Sequence, residues 1–248
     1  MKNILLPLIL LITFKAEAFT LASSNPPRYG EEVKLTVGTD TCTALGLTPE
    51  SLLDLVEEAM NDFWNSVPTA KIKFVRGGVG TFSANGETSL SNFLTNSGIT
   101  NEIIIGCNND LTAFGSGTIG QGGFRYGGSI GIQGAFIIYD DSSVAGLSKK
   151  AKKALIAHEM GHAFGLGHSN FKPALMYYTI NYNMDSLSRD DEDAITYLYP
   201  NTKKVGGCGT IEDIANSDSG DSKKGLPFIL LLIAGVVTSR YYARKSFF

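Results

Sequence analysis

His158-Glu159-Met160-Gly161-His162-Ala163-Phe164-Gly165-Leu166-Gly167-His168 contains every histidine of this 248-residue chain. Residues four apart lie one above the other on a helix face, so His158 and His162 are placed to bind one metal ion from the same side. Glu159 then projects beside that ion rather than onto it, where a carboxylate can take a proton from water. A third ligand must come from another direction, so the helix has to stop and the chain turn. Gly165 supplies the left-handed residue that such a stop requires. His168 completes a three-histidine set with an open fourth position, the pattern of catalytic rather than structural zinc. The bland alternative is an amphipathic helix with ordinary histidines; it needs three ligands, a base and a turn residue to coincide.

The motif His158-Glu-x-x-His162-x-x-Gly165-x-x-His168 resembles the zinc signature of the metzincin metalloendopeptidases. Further residues resemble the matrixin branch. Ser169 follows the third histidine. Ala174-Leu175-Met176-Tyr177 looks like the Met-turn, with Met176 as the hydrophobic floor beneath the zinc. Leu187-Ser188-Arg189-Asp190-Asp191, followed by Ala194-Ile195 and Leu198-Tyr199-Pro200, resembles the closing helix of that domain. Phe63-Trp64-Asn65 ahead of Ile72-Lys73-Phe74 resembles its first helix and following strand. The resemblance spans roughly residues 30 to 200 and is specific over 155–200.

It implies an α+β fold: a twisted, mostly parallel sheet with an antiparallel edge strand, two long helices, and a small C-terminal subdomain with the Met-turn and a closing helix from Ser188. It implies a zinc-dependent endopeptidase that hydrolyses peptide bonds through a metal-activated water, with Glu159 as general base and His158, His162 and His168 as ligands. The alternative is an inactive zinc-bound surface protein that binds peptides or matrix.

Departures from the family pattern matter as well. No histidine is left for a second, structural zinc, and Ile138 stands where one of its ligands is expected. One zinc per chain is therefore the expectation. Asp140 matches a calcium-binding aspartate, so Ca2+ stands as a candidate second cofactor on one carboxylate. No cysteine has the context of an inhibitory propeptide. Tyr178 replaces a proline and is open to two readings: a donor to the developing oxyanion, as in astacin-like metzincins, or a packing residue.

With 21 Lys and Arg against 24 Asp and Glu, the chain is mildly acidic and has no basic block in the expected domain, which argues against a nucleic-acid partner. The expected partner is a protein or peptide substrate, and the expected state is a monomer. Lys2, the apolar run Ile4 to Phe14 and Ala16-Glu17-Ala18 read as an export signal over residues 1–18, and the alternative, a first transmembrane helix, is weaker because Lys15 and Glu17 interrupt the apolar run. Export makes disulfides available, and a Cys42–Cys107 bridge is the first expectation, with two buried thiols as the alternative and Cys208 left over. Residues 19–200 would be the catalytic domain, and 201–225 a polar linker. Residues 226–248 hold an uncharged apolar segment and a basic end. That tail reads as a membrane anchor or a sorting tail, or else as a helix packed on the domain. The protein is accordingly expected at the cell surface, anchored in the membrane or released outside.

Along the chain, Glu31 to Val37, Ile72 to Val75, Ile103 to Ile105 and Ala135 to Tyr139 read as strands. Thr48 caps a helix with Pro49 at its first position and Ser51 at the capping-box site. Leu52, Leu55, Val56, Ala59, Met60 and Phe63 form that helix's core face. Glycine-rich 115–134 reads as loops plus a cleft-edge strand where another backbone approaches closely. Ser148 caps the metal helix, and Lys149, Lys150, Lys152 and Lys153 read as a solvated face.

Overall fold

The structure, a computed structural model, describes residues 19–109, 117–127, 131–140 and 142–202. The export signal, Cys208, most of the linker and the tail lie outside them.

Five strands form one sheet in the order β2-β1-β3-β5-β4. They are β1 (Glu32–Val37), β2 (Lys73–Val79), β3 (Ile103–Asn108), β4 (Gly120–Gly127) and β5 (Gly131–Tyr139). The β1–β2, β1–β3 and β3–β5 pairs are parallel, while β4 runs antiparallel along β5 at one edge. The expected mostly parallel sheet with an antiparallel edge strand is present.

Side chains alternate across a strand, and here both faces are covered. Ile103, Ile105, Cys107, Phe136 and Ile138 face the larger core, with α1 (Pro49–Asp62) and α3 (Lys149–Ala163). Ile104, Ala135, Ile137 and Tyr139 face a smaller core under α2 (Leu90–Ser97). This two-sided burial explains why the central strands read as continuous apolar runs. Sequence reading missed α2, an eight-residue helix with Phe93 and Leu94 as its only buried residues. Strand β5 begins at Gly131, four residues before the expected Ala135, because Gly131–Gly134 pair with β4.

Thr48 caps α1 by accepting from the Ser51 amide at 3.3 Å. Ser51 does not complete a capping box, since its hydroxyl donates to the Thr48 carbonyl instead. The reciprocal box is at α4 (Arg189–Leu198), between Ser188 and Asp191. Three lysines of α3 make ion pairs at the surface. Lys149 pairs with Glu58, Lys150 with Asp185 and Lys153 with Asp62, so two of the pairs join α3 to acidic residues of α1.

Cys42, in the turn after β1, is disulfide-bonded to Cys107 of β3, with 5.5 Å between Cα atoms. The bridge lies in the larger core, beneath the turn that Asp140 organises. Ile138 is fully buried there. Among the described residues no helix is long and apolar enough to cross a membrane.

Candidate active site

Helix α3 starts where the Ser148 hydroxyl accepts from the Ala151 amide at 3.2 Å. It ends in two paired carbonyls. The Leu166 amide donates to Gly161 at 2.9 Å and the Gly165 amide to His162 at 3.2 Å, with Gly165 at φ +120°. This is the Schellman pattern, and its 6→1 and 5→2 bonds reverse the chain so that it returns toward the helix face. His168 thereby arrives opposite His158 and His162. The three imidazoles offer nitrogen atoms within 4.8 Å of one another, the one such cluster of His, Cys, Asp and Glu among the described residues.

The imidazoles fit a metal ion. His158 Nδ1 lies 2.7 Å from the Leu175 carbonyl and His162 Nδ1 lies 2.8 Å from the Leu166 carbonyl. A carbonyl only accepts, so each Nδ1 carries the proton and each Nε2 keeps its lone pair for a cation. His162 Nε2 and His168 Nε2 face each other at 3.1 Å. Burial pushes His158 down to about 3 and His162 to about 4, so these two rings stay neutral ligands well below neutral pH, and it lowers His168 as well.

Glu159 points into the same space and is almost wholly buried. Burial raises its carboxyl to about 8, opposed by a hydrogen bond from the Gly122 backbone. A cation on the neighbouring imidazoles would pull it back toward the ionised form. Edge strand β4 lies directly over it. A Cβ on Gly120 would stand 2.6 Å from Glu159 Oε1, and one on Gly122 would stand 2.2 Å from the Glu159 carbonyl and 2.9 Å from His162 Cβ. These glycines let the strand reach the helix, the close approach that the glycine-rich stretch implied.

Together these groups line a cavity of about 620 Å³, closed on one side by Gly117–Gly122 and on the other by Tyr178, Thr179, Ile180 and Tyr182. Residues 120–200 match the Matrixin family model. Over that stretch the chain is matrixin-like. The match suggests a zinc metallopeptidase, and in the matrixin-like segment the three imidazoles stand where they can hold a metal.

The remaining expected residues sit as follows. Met176 packs on the helix between the ligands: a Cβ on Gly161 would lie 2.3 Å from its sulfur. Tyr178 is 66% exposed at the cavity rim, its ring 4.3 Å from that of Tyr177. Asp140 is not brought near the imidazole cluster. Its two oxygens accept the amides of Ala44 and Leu45 at 3.0 and 3.1 Å, which ties the turn after β1 to the end of β5. Sequence reading missed the carbonyls of Leu166 and Leu175, which any residue type could supply. It also missed two tethers from α4: Asp190 accepts the Ser169 hydroxyl at 2.6 Å, and Asp191 accepts the Leu175 and Met176 amides. The Ser188-x-x-Asp191 pattern was the available signal, and it marks a cap rather than a contact with the site.

Proposed function

We propose that this protein is a zinc-dependent endopeptidase acting on extracytoplasmic protein or peptide substrates. The observation that carries the reading is one cavity shared by three converging imidazoles, the buried Glu159 carboxylate and the edge strand β4. His158, His162 and His168 would hold one zinc ion, which when bound supplies a Lewis acid for the scissile carbonyl and lowers the pKa of water.

The chain's own residues do the rest. The outer edge of β4, the last strand of the sheet among the described residues, would receive an extended peptide laid beside it as an added strand. Glu159 takes a proton from the attacking water and passes it to the leaving amine. Tyr178, at the rim, donates its hydroxyl to the oxyanion as the peptide carbonyl becomes tetrahedral. Ala174–Tyr177 serves as the Met-turn and α4 closes the small subdomain that supports it. The segment after Tyr178 shapes the pocket for the substrate side chain.

In this reading residues 1–18 direct export, 19–200 are a monomeric catalytic domain, and 201–225 link it to a tail at 226–248 that anchors or sorts it at the cell surface. Calcium at Asp140 rests on that one carboxylate, whose two oxygens also accept the Ala44 and Leu45 amides.

Cleavage-site profiling on a peptide library, with Glu159→Gln as control, tests the activity. Cleavage at defined positions that vanishes in the control is expected, along with one tightly held zinc by elemental analysis. A metal-loaded protein that cuts nothing would sink the enzyme reading and leave a peptide-binding surface protein.

A further inference from the structure

The first turn of α4 sends no side chain into the cavity, yet it is bonded to a metal-site imidazole through one peptide group. Asp191 is fully buried. Its Oδ1 accepts the Met176 amide at 3.0 Å. Its Oδ2 accepts the Leu175 amide at 2.8 Å, the Ser188 amide at 3.0 Å and the Ser188 hydroxyl at 2.7 Å. The Met176 N–H belongs to the same peptide unit as the Leu175 carbonyl, and that carbonyl takes the Nδ1 proton of His158 at 2.7 Å. The line therefore runs from the carboxylate through a single conjugated amide to the imidazole.

His162 provides the comparison within the molecule. Its Nδ1 proton goes to the Leu166 carbonyl, and the N–H of that peptide unit, on Gly167, donates to the neutral Thr20 carbonyl at 2.9 Å. One imidazole is thus backed by a carboxylate and the other by a carbonyl. An anion on the N–H side of an amide shifts electron density onto its oxygen, and chains of hydrogen bonds in a low-dielectric interior strengthen one another. The Leu175 carbonyl is then the stronger acceptor. It holds the Nδ1–H tautomer of His158 more firmly and makes Nε2 the better donor to a cation.

We propose that Asp191 is a positioning residue of the metal site: it acts through the Leu175–Met176 peptide to orient His158 and raise its strength as a ligand. Helix capping needs only the bonds to Ser188. The two to Leu175 and Met176 exceed it, and they join α4 to the segment under the site. The inference rests on the reading of the three imidazoles as a zinc site.

The test is zinc affinity by competition with a chromophoric chelator, on the whole protein and on two variants. Asp191→Asn keeps the shape but loses the charge and one acceptor. It should weaken zinc binding by about 10- to 100-fold, the usual effect of removing an outer partner of a ligand. Ser188→Ala loses the cap hydroxyl only; its melting temperature should fall while its zinc affinity stays within about threefold of the parent. Equal affinities for Asp191→Asn and the parent overturn the proposal, as does an equal weakening in Ser188→Ala, which would make capping the cause.

If Asp191→Asn does not fold, the unsubstituted protein decides, because coupling between two sites is reciprocal. Zinc loading should move the Met176 amide proton downfield and slow its exchange at least about tenfold by NMR, with a smaller change at the Ser188 amide. A Met176 amide indifferent to zinc overturns the proposal. An unsubstituted protein that takes up no zinc overturns the zinc reading itself.

Discussion

Glu159 is the residue on which activity should turn. Its carboxylate lies beside the imidazoles under β4, and no other acid of the described residues lines that cavity. Glu159→Ala should keep its zinc and lose at least about 100-fold in rate, the scale of a lost general base. A variant cleaving at near-parental rate removes Glu159 from the mechanism. The imidazoles carry a pH prediction. A metal competes with protons for their nitrogens, and a free histidine at pH 5.5 is mostly protonated, with a pKa of about 6.5. Burial holds His158 at about 3 and His162 at about 4, so acid should displace the metal only as pH falls toward those values. Zinc content after dialysis at pH 5.5 should equal that at pH 7.5. Loss of most of the zinc at pH 5.5 would show that the imidazoles titrate like exposed ones.

Between elements, the contact that shapes the site is β4 on α3. Gly122 has no room for a methyl group: the Glu159 carbonyl and His162 Cβ belong to the helix backbone or sit directly on it, so neither swings away. Gly122→Ala should lift the edge strand from the helix at a cost of about 1–3 kcal/mol, the range for overpacking. The melting temperature should drop by a few degrees and cleavage should weaken, since the strand that receives the peptide moves away from Glu159. A variant with unchanged melting and cleavage within twofold would show that the strand is not held at this distance. The glycine spacing in the sequence already implied a close approach. It could not identify the partner as the helix turn between Glu159 and His162, because that depends on where the sheet edge falls.

At the scale of the whole molecule, the ends of the chain bear on where it works. On the proposed reading, residues 1–18 as an export signal and residues 226–248 as an apolar segment with a basic end would place residues 19–225 outside the inner membrane. Full-length protein should fractionate with membranes, or appear at the surface with its tail removed. A chain ending at Pro200 should be soluble and active, because α4 is complete at Leu198 and the Ala70–Pro200 bridge closes the last turn. Full-length protein with its tail intact by mass spectrometry, found wholly in the soluble fraction, would refute the assignment.

Local rules were enough for much of this protein. Spacings of four and ten residues, with a glycine at the turn, mark the cluster of three imidazoles that could hold a metal, because a helix and its C-terminal stop have fixed geometry. Apolar runs mark the central strands, and Thr48 and Ser148 mark helix starts. What the tertiary structure alone decided involves groups distant in sequence or carried by every residue. The carbonyls that set the imidazole tautomers are backbone atoms and leave no trace in side-chain identity. Asp140 reads as a calcium ligand, and only the fold shows that its oxygens also accept two amides from the turn after β1. The lysines of α3 read as a solvated face, and only the packing of α1 beside α3 shows which acids two of them meet there. Asp191 reads as one of four acids at the start of a helix, and only the packing of α4 on residues 174–177 connects its charge to His158.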